Sequence, residues 1–434
     1  MSDVFLSAAI IARNAEGYIV RTIESIEPVV DEVVLVLDNR TTDRTEEFAR
    51  KAAGSKLKLL SFRWTHNFSD ARNESLNYCR GKWILILDAD DELDRDDQGY
   101  LLDEIRKADA GGMDLITCAV FLDPSYAPSQ YYDERFGGHC AIDWRNRIVR
   151  KASGAQFRGR VHEQLEFPNL NFNFSSPVPI RFYHRGKYTS TKKEYYRALL
   201  TLDCYDDPCA AIPAIYLAED MANRRDSTRA LLFLEHVNPE SIEAEAIAGR
   251  YWEVRGKISQ SAWARTIEIQ KPNMSLAAQA ADYYQRSIDI DPTRGISYIN
   301  RAIVMIFGVR PGGVSIGIQS LKSLLERDPA NLAAQEMIQL CNQAEGNNQV
   351  LRQRLQTYLA AKFEEEQKAR LNADGWAPKV EVANAEQLGE LLGRGIARGG
   401  ESTGEDGGNV ASRQMRRKVE RETGKPSRLT IGGR

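Results

Sequence analysis

What this chain of 434 residues lacks narrows the reading before anything it contains. No run of about 18 uninterrupted apolar residues occurs, so no membrane-spanning helix and no transmembrane anchor are expected. The apolar run over residues 5–12 is short and stops at Arg13 and Asn14. The N-terminus has no basic stretch leading into an apolar core and a small-residue cleavage site, so it does not read as a secretory leader. The six cysteines (Cys79, Cys118, Cys140, Cys204, Cys209, Cys341) form no C-x-x-C pair and no regular spacing. That excludes a zinc ribbon or a disulfide frame and implies reduced thiols in a cytoplasmic protein. The formal net charge is only −3, so no global field draws nucleic acid or an anionic membrane. Two phosphate-binding signatures are also missing. Ala12-Arg13-Asn14-Ala15-Glu16-Gly17 stands where a dinucleotide fold needs G-x-G-x-x-G, and no G-x-x-x-x-G-K-[ST] occurs anywhere.

What is present is ordinary globular material, 42% hydrophobic and 27% charged, long enough for two or three domains. Residues 1 to about 120 alternate strand and helix patterns. Strands are read at 5–12, at Val33-Val34-Leu35-Val36-Leu37, at 56–64 and at Trp83-Ile84-Leu85-Ile86-Leu87. Helices are read between them, the first with Ile19, Ile23 and Ile26 at helical spacing and an end at Pro28. A capping box is expected at Asp43 and Glu46. Continuous apolar strands separated by helices imply a mostly parallel open α/β sheet with helices on both faces. Residues 120–190 read as loops and short strands completing a first domain, 1–190.

Residues 191–345 are helical text. AADYYQRSIDIDP (280–292) and SLKSLLERDP (320–329) share one grammar, apolar residues at helical spacing and then Asp-Pro, and residues 211–239 end similarly at Asn238-Pro239. These segments resemble tetratricopeptide-type helix pairs. Further helices are expected over 346–394, and a Gly-rich, basic, disordered tail over 395–434.

Chemistry concentrates at predicted strand ends, beyond which an open sheet places its ligand. Asp38 ends one strand, and Asp88-Ala89-Asp90 ends another. Two close carboxylates repel and call for a cation; hard oxygen ligands suit Mn²⁺ or Mg²⁺, which leave positions open for phosphate oxygens. With no glycine loop available, the phosphates of a nucleotide would be held by metal and side chains.

The first strand with Arg13-Asn14-Ala15-Glu16, then LVLDNRTTDRT (35–45), FSDARNESL (68–76) and WILILDADDEL (83–93), resemble in order and spacing the family 2 glycosyltransferases of the GT-A fold. The chain is most similar to the bacterial branch in which tetratricopeptide repeats follow the catalytic domain. The resemblance implies a nucleotide-sugar donor, with Asp38 on the uracil side, Asp88 near the ribose, Asp90 on the metal, and Arg72 near the base and diphosphate. Ala12, Arg13, Asn14, Glu16 and Ala89 belong to the same donor-binding set. Where the family usually has Gly two positions after the first Asp, this chain has Arg40, a cation that crowds the nucleoside or meets its phosphates.

RNRIVR (145–150), GRVHE (159–163) and FYHRG (182–186) also resemble the family, and place Arg147 and Arg150 on the diphosphate. Inverting transfer needs a base opposite the leaving group. Glu163 is the first candidate and Asp143 the reserve. His184, then His162, is the histidine expected to complete the metal's shell. The function implied is sugar transfer from a nucleotide diphosphate, with UDP as the first nucleotide, to a hydroxyl, a protein acceptor ranking ahead of lipid or glycan. Two other readings are a scaffold with an idle transferase domain and a nucleotidyltransferase on a similar sheet.

Overall fold

The computed structural model describes residues 4–123, 131–134, 138–168, 172–308 and 312–375. The basic tail, most of the aromatic segment Tyr126 to Phe136, and all of 376–394 therefore lie outside the described residues.

The first half runs β1 (Leu6–Ala12), α1 (Ile19–Ile26), β2 (Glu32–Asp38), α2 (Thr45–Ala53), β3 (Leu57–Phe62), α3 (Phe68–Tyr78), β4 (Trp83–Asp88), β5 (Asp91–Leu93), α4 (Gln98–Ala110) and β6 (Leu115–Leu122). It continues with β7 (Tyr131–Asp133), β8 (Gly138–Arg150), β9 (Gln156–Arg158), β10 (Gln164–Glu166) and β11 (Val178–His184). The main sheet has the order β3-β2-β1-β4-β8-β6-β11-β5, with β7 paired to β8. The first four strands are parallel, as the crossovers α1 to α3 require. β8 enters antiparallel between β4 and β6, and β11 then runs parallel to β6.

Strand residues sort to the two faces by parity. Ala8, Ile10, Val33, Leu35, Leu85 and Leu87 pack with Ile19, Ile23 and Ile26 of α1 and with Leu101 and Ile105 of α4. Ala9, Val34, Ile84 and Ile86 pack on the opposite face with Leu76 of α3 and Phe157 of β9. Helices thus cover both faces, which is why these strands read as unbroken apolar runs.

Two local expectations need correction. Residues 120–190 hold more than loops and short strands: β6, the 13-residue β8 and β11 are interior strands of the main sheet. Their alternation is hard to read because β8 interleaves core residues such as Ile148 with Asp143, Arg145 and Arg147. The capping box does not form either. Asp43 accepts from Thr45 N at 3.0 Å, but Glu46 pairs with Arg50 one turn on instead of reaching back.

The second half is α5 (Ser190–Asp206), α6 (Ala211–Asn223), α7 (Ser227–Leu234), α8 (Glu245–Glu268), α9 (Met274–Ile290), α10 (Gly295–Phe307), α11 (Gly313–Arg327), α12 (Leu332–Gln343) and α13 (Asn348–Gly375). Each helix packs on its successor, and α13 returns to touch α5. The Asp-Pro pairs fall at helix ends: the Asp291 and Asp328 amides close the last turns of α9 and α11 before proline forbids another. Close crossings depend on small residues. A methyl carbon on Gly256 would lie 2.6 Å from Tyr284 Cε1, and one on Gly317 2.7 Å from Ile306 Cγ1. No helix among the described residues is long and apolar enough to cross a membrane.

Candidate active site

The parallel strands β1, β2 and β4 end on one edge of the sheet, and the turn after β4 lies there. That turn is fixed by the chain around it. Thr22 of α1 donates to the Ala89 carbonyl at 2.8 Å, and the Arg185 amide donates to the Asp90 carbonyl at 2.8 Å. Asp91, fully buried, accepts from the Asp88 amide at 2.8 Å and from His184 Nδ1 at 2.8 Å, and forms an ion pair with Arg147 at 2.7 Å. Burial and the nearby Asp88 charge would raise the pKa of that carboxyl, but the Arg147 guanidinium and the hydrogen bond from His184 hold it below the ordinary carboxylate range.

Asp88, Asp90, Asp91 and His184 bring ligand atoms within 4.8 Å of one another. The geometry suits a divalent cation in one particular way. Nδ1 of His184 is engaged by Asp91, the carboxylate–histidine arrangement that turns Nε2 toward a metal. A methyl carbon built on Gly186 would overlap Asp90 Oδ2 and lie 3.4 Å from His184 Nε2. Those two ligand atoms therefore border a space that only glycine leaves open.

Arg72, reaching in from α3, bridges two carboxylates: it donates to Asp88 Oδ1 at 2.6 Å and to Glu163. Burial opposes charge on Asp88, yet Arg72 first, then Arg147, His184 and Arg145, hold its carboxyl well below the ordinary range. Arg72 itself is pushed up by Asp88 and Glu163 despite burial. Asp143 sits beyond, on β8, more exposed and paired to Arg145 at 3.0 Å.

At the other edge Asp38 is 5% exposed, and its oxygens accept from the Arg40 amide at 2.9 Å, from Arg40 Nε at 3.1 Å and from Arg40 Nη2 at 2.8 Å. Arg13 stands 3.7 Å away. Asn14, with a left-handed φ of 47°, accepts from the Thr42 amide, and Glu16 accepts from the Arg44 amide. These contacts tie the loop after β1, from Ala12 onward, to the loop after β2.

Asp88, Asp90, Arg72, Glu163 and His184 therefore meet beyond the carboxyl end of β4, and Asp38 stands at the carboxyl end of β2, two strands along the sheet. Three expected residues stand elsewhere. Arg147 is 3% exposed, behind the acidic turn, bound to Asp91 and the Ile86 carbonyl. Arg150 lies at the opposite end of the sheet, stacked on Trp83 and bound to Asp109, because β8 runs antiparallel to β4. His162 lies flat on Tyr216 of α6 with ring centroids 3.8 Å apart, outside the acidic cluster.

Sequence reasoning missed Asp91, Gly186 and the contributions of α1 and α5. Tyr18 is close enough to Asp90 that burial, then that carboxylate, push its hydroxyl's pKa up. Tyr195 of α5 hydrogen-bonds Trp64 at 2.8 Å and His66 at 3.1 Å near the Asp38 edge. Asp91 left a readable trace, a third acid beside Asp90; the α5 tyrosines left none, since they are some 100 residues from that turn in sequence.

Comparison with known proteins agrees with the first half. The family model "Glycosyl transferase family 2" matches residues 7–149. The chain is 26% identical over 181 residues to the SPbeta prophage-derived glycosyltransferase SunS of Bacillus subtilis, covering 42% of this chain and 39% of that protein. It is 40% identical over 88 residues to a TPR repeat-containing protein of Synechococcus elongatus, covering 20% and 21%. It is 31% identical over 93 residues to the UDP-Glc:alpha-D-GlcNAc-diphosphoundecaprenol beta-1,3-glucosyltransferase WfgD of Escherichia coli, covering 21% and 37%. The chain thus spans about two fifths of the first of these relatives. Residues 7–149 match the family 2 glycosyl transferase model, and a helical region follows them in the chain.

Proposed function

We propose that this protein is a divalent-metal-dependent, inverting glycosyltransferase that moves a sugar from a nucleotide-diphosphate donor to a hydroxyl, the acceptor being a protein. The observation that carries this reading is the meeting of Asp88, Asp90, His184 and the Arg72–Glu163 pair at the carboxyl ends of the parallel strands.

In this reading Asp38 meets the nucleobase, and UDP is the first choice; the name of the E. coli relative, a UDP-glucose enzyme, supports it. Asp88 borders the ribose. Asp90 Oδ2 and His184 Nε2 would hold Mn²⁺ or Mg²⁺, with Asp91 setting the histidine's orientation. A divalent ion there supplies positive charge to the departing diphosphate. Glu163, oriented by its ion pair with Arg72, accepts the proton of the attacking hydroxyl, with Asp143 as the other carboxylate within the region. The helical half, read as tetratricopeptide-like, offers the extended surface that suits a protein acceptor.

The test is donor turnover by the full chain with a panel of nucleotide sugars, in Mn²⁺, Mg²⁺ or EDTA, alongside Asp90→Asn and Glu163→Gln. Metal-dependent release of the nucleoside diphosphate from one donor, lost in Asp90→Asn, is expected. An Asp90→Asn chain that matched wild type would end the metal assignment, and a wild type inert toward every donor would end the transferase reading.

A further inference from the structure

Glu163 sits at the end of a short loop, residues 159–163, that joins β9 to β10. A loop is a poor platform for a group that must be placed to within fractions of an ångström. Here the loop is gripped from two domains. On the sheet side, Ser69 of α3 donates to the Gly159 carbonyl at 2.6 Å, the Phe68 amide donates to the Arg160 carbonyl at 2.9 Å, and Arg72 holds Glu163.

The helical half supplies the rest. Asp203 of α5 accepts from the Arg160 amide at 3.0 Å and from its guanidinium at 2.6 Å, and Asp206 adds a third bond at 2.7 Å. The His162 ring lies parallel to Tyr216 of α6, 4° between planes, and edge-on to Tyr196 of α5 at 5.8 Å. Arg250 of α8 stands 4.0 Å from the centroid of the Tyr216 ring, and Glu219 holds Arg250 at 2.7 Å. From Glu219 a half-buried chain of ion pairs continues through Lys257 (2.5 Å) and Glu253 (2.8 Å) to Arg294 (2.5 Å). His162 also adopts a left-handed φ of 53°, a backbone state that a non-glycine residue keeps only where its surroundings over-determine it.

We propose that Tyr216, backed by Arg250, is a positioning residue for Glu163: the helical half completes the transfer site itself and does not serve only to dock an acceptor. The inference rests on reading this cluster as the transfer site. His162 and Glu163 are consecutive, so the ring clamped between Tyr216 and Tyr196 fixes the backbone from which the Glu163 carboxylate departs. Asp38 and Asp90 are held by other elements, whereas Asp88 shares Arg72 with Glu163, so the stack acts on the base first and reaches the donor side only through Arg72.

The test uses the full chain with Tyr216→Ala, Tyr216→Phe and His162→Asn, the last because Asn tolerates a left-handed φ. Three quantities are read: kcat, the dissociation constant for UDP with Mn²⁺, and amide exchange over residues 159–163. Tyr216→Ala and His162→Asn are expected to lower kcat about 30- to 100-fold, the scale of a 1 Å misplacement. UDP affinity stays within about twofold and loop exchange rises about tenfold in both, while Tyr216→Phe stays near wild type because stacking needs the ring and not the hydroxyl. An active wild type whose Tyr216→Ala form keeps its kcat, or loses kcat and UDP binding together, overturns this proposal alone. If Tyr216→Ala does not fold, His162→Asn decides by the same criteria. A wild type that turns over no donor refutes the transfer reading, and this proposal falls with it.

Discussion

Arg40 folds back onto Asp38 and takes both of its carboxylate oxygens, through its amide, Nε and Nη2. A nucleobase that binds Asp38 therefore competes with a side chain two residues away. The pair is about one-third exposed on the arginine side, which limits what it is worth to the scale of a surface ion pair, under about 1 kcal/mol. Arg40→Gly is expected to bind UDP about three- to fivefold more tightly, by titration calorimetry. Weaker binding in that variant would instead make Arg40 a contact to the donor.

Gly186→Ala places a methyl group on Asp90 Oδ2 and against His184 Nε2. The site must open to accept it, at a cost of about 1–3 kcal/mol. We expect Mn²⁺ affinity, followed by electron paramagnetic resonance, to fall at least tenfold, with donor turnover falling in parallel. Unchanged Mn²⁺ binding would remove Asp90 and His184 as ligands.

Arg147 and Asp91 form a pair almost wholly closed to solvent. Arg147→Ala leaves the Asp91 carboxylate with His184 and one amide, and a broken buried pair costs about 3–5 kcal/mol. Urea unfolding of the first transition should shift by that amount. A shift under about 1 kcal/mol, with UDP binding lost, would restore Arg147 as a donor contact.

Burial first, then the charge of Arg250, push the His162 imidazole down to about 3 against the raising effect of Glu219, with Arg145 and Lys192 adding smaller lowering effects. The unfolded chain binds a proton at His162 near pH 6.5 and the folded chain does not until about pH 3. Stability present above pH 6.5 is therefore lost as pH falls through that window, by about 1.4 kcal/mol per pH unit. Melting temperature from pH 7.5 to 5 should drop less steeply in His162→Phe than in wild type. Parallel slopes would show that His162 takes up its proton as readily in the folded protein as in the unfolded chain.

Much of the first half was legible because its chemistry is local. Parallel strands covered on both faces write themselves as apolar runs, and Asp38, Asp88 and Asp90 stand where those runs stop, so the strands and the acidic turn could be placed from sequence alone. His184 and Glu163 were legible only through short motifs resembling a family. Arg147 and Arg150 were misplaced because their motif says nothing of strand direction: an antiparallel β8 carries Arg150 to the far end of the sheet and turns Arg147 inward.

The sequence by itself determined an α/β domain with a two-carboxylate strand end, a long helical continuation, and the absence of glycine loops for phosphate. Only the tertiary structure decided what surrounds those carboxylates: Arg40 on Asp38, Arg72 between Asp88 and Glu163, Asp91 behind His184, and Tyr216 beneath His162. Periodicity reports which face of an element is buried. It carries no record of which distant side chain arrives at that face, and charge pairing and stacking across 50 to 90 residues are set only when the elements pack.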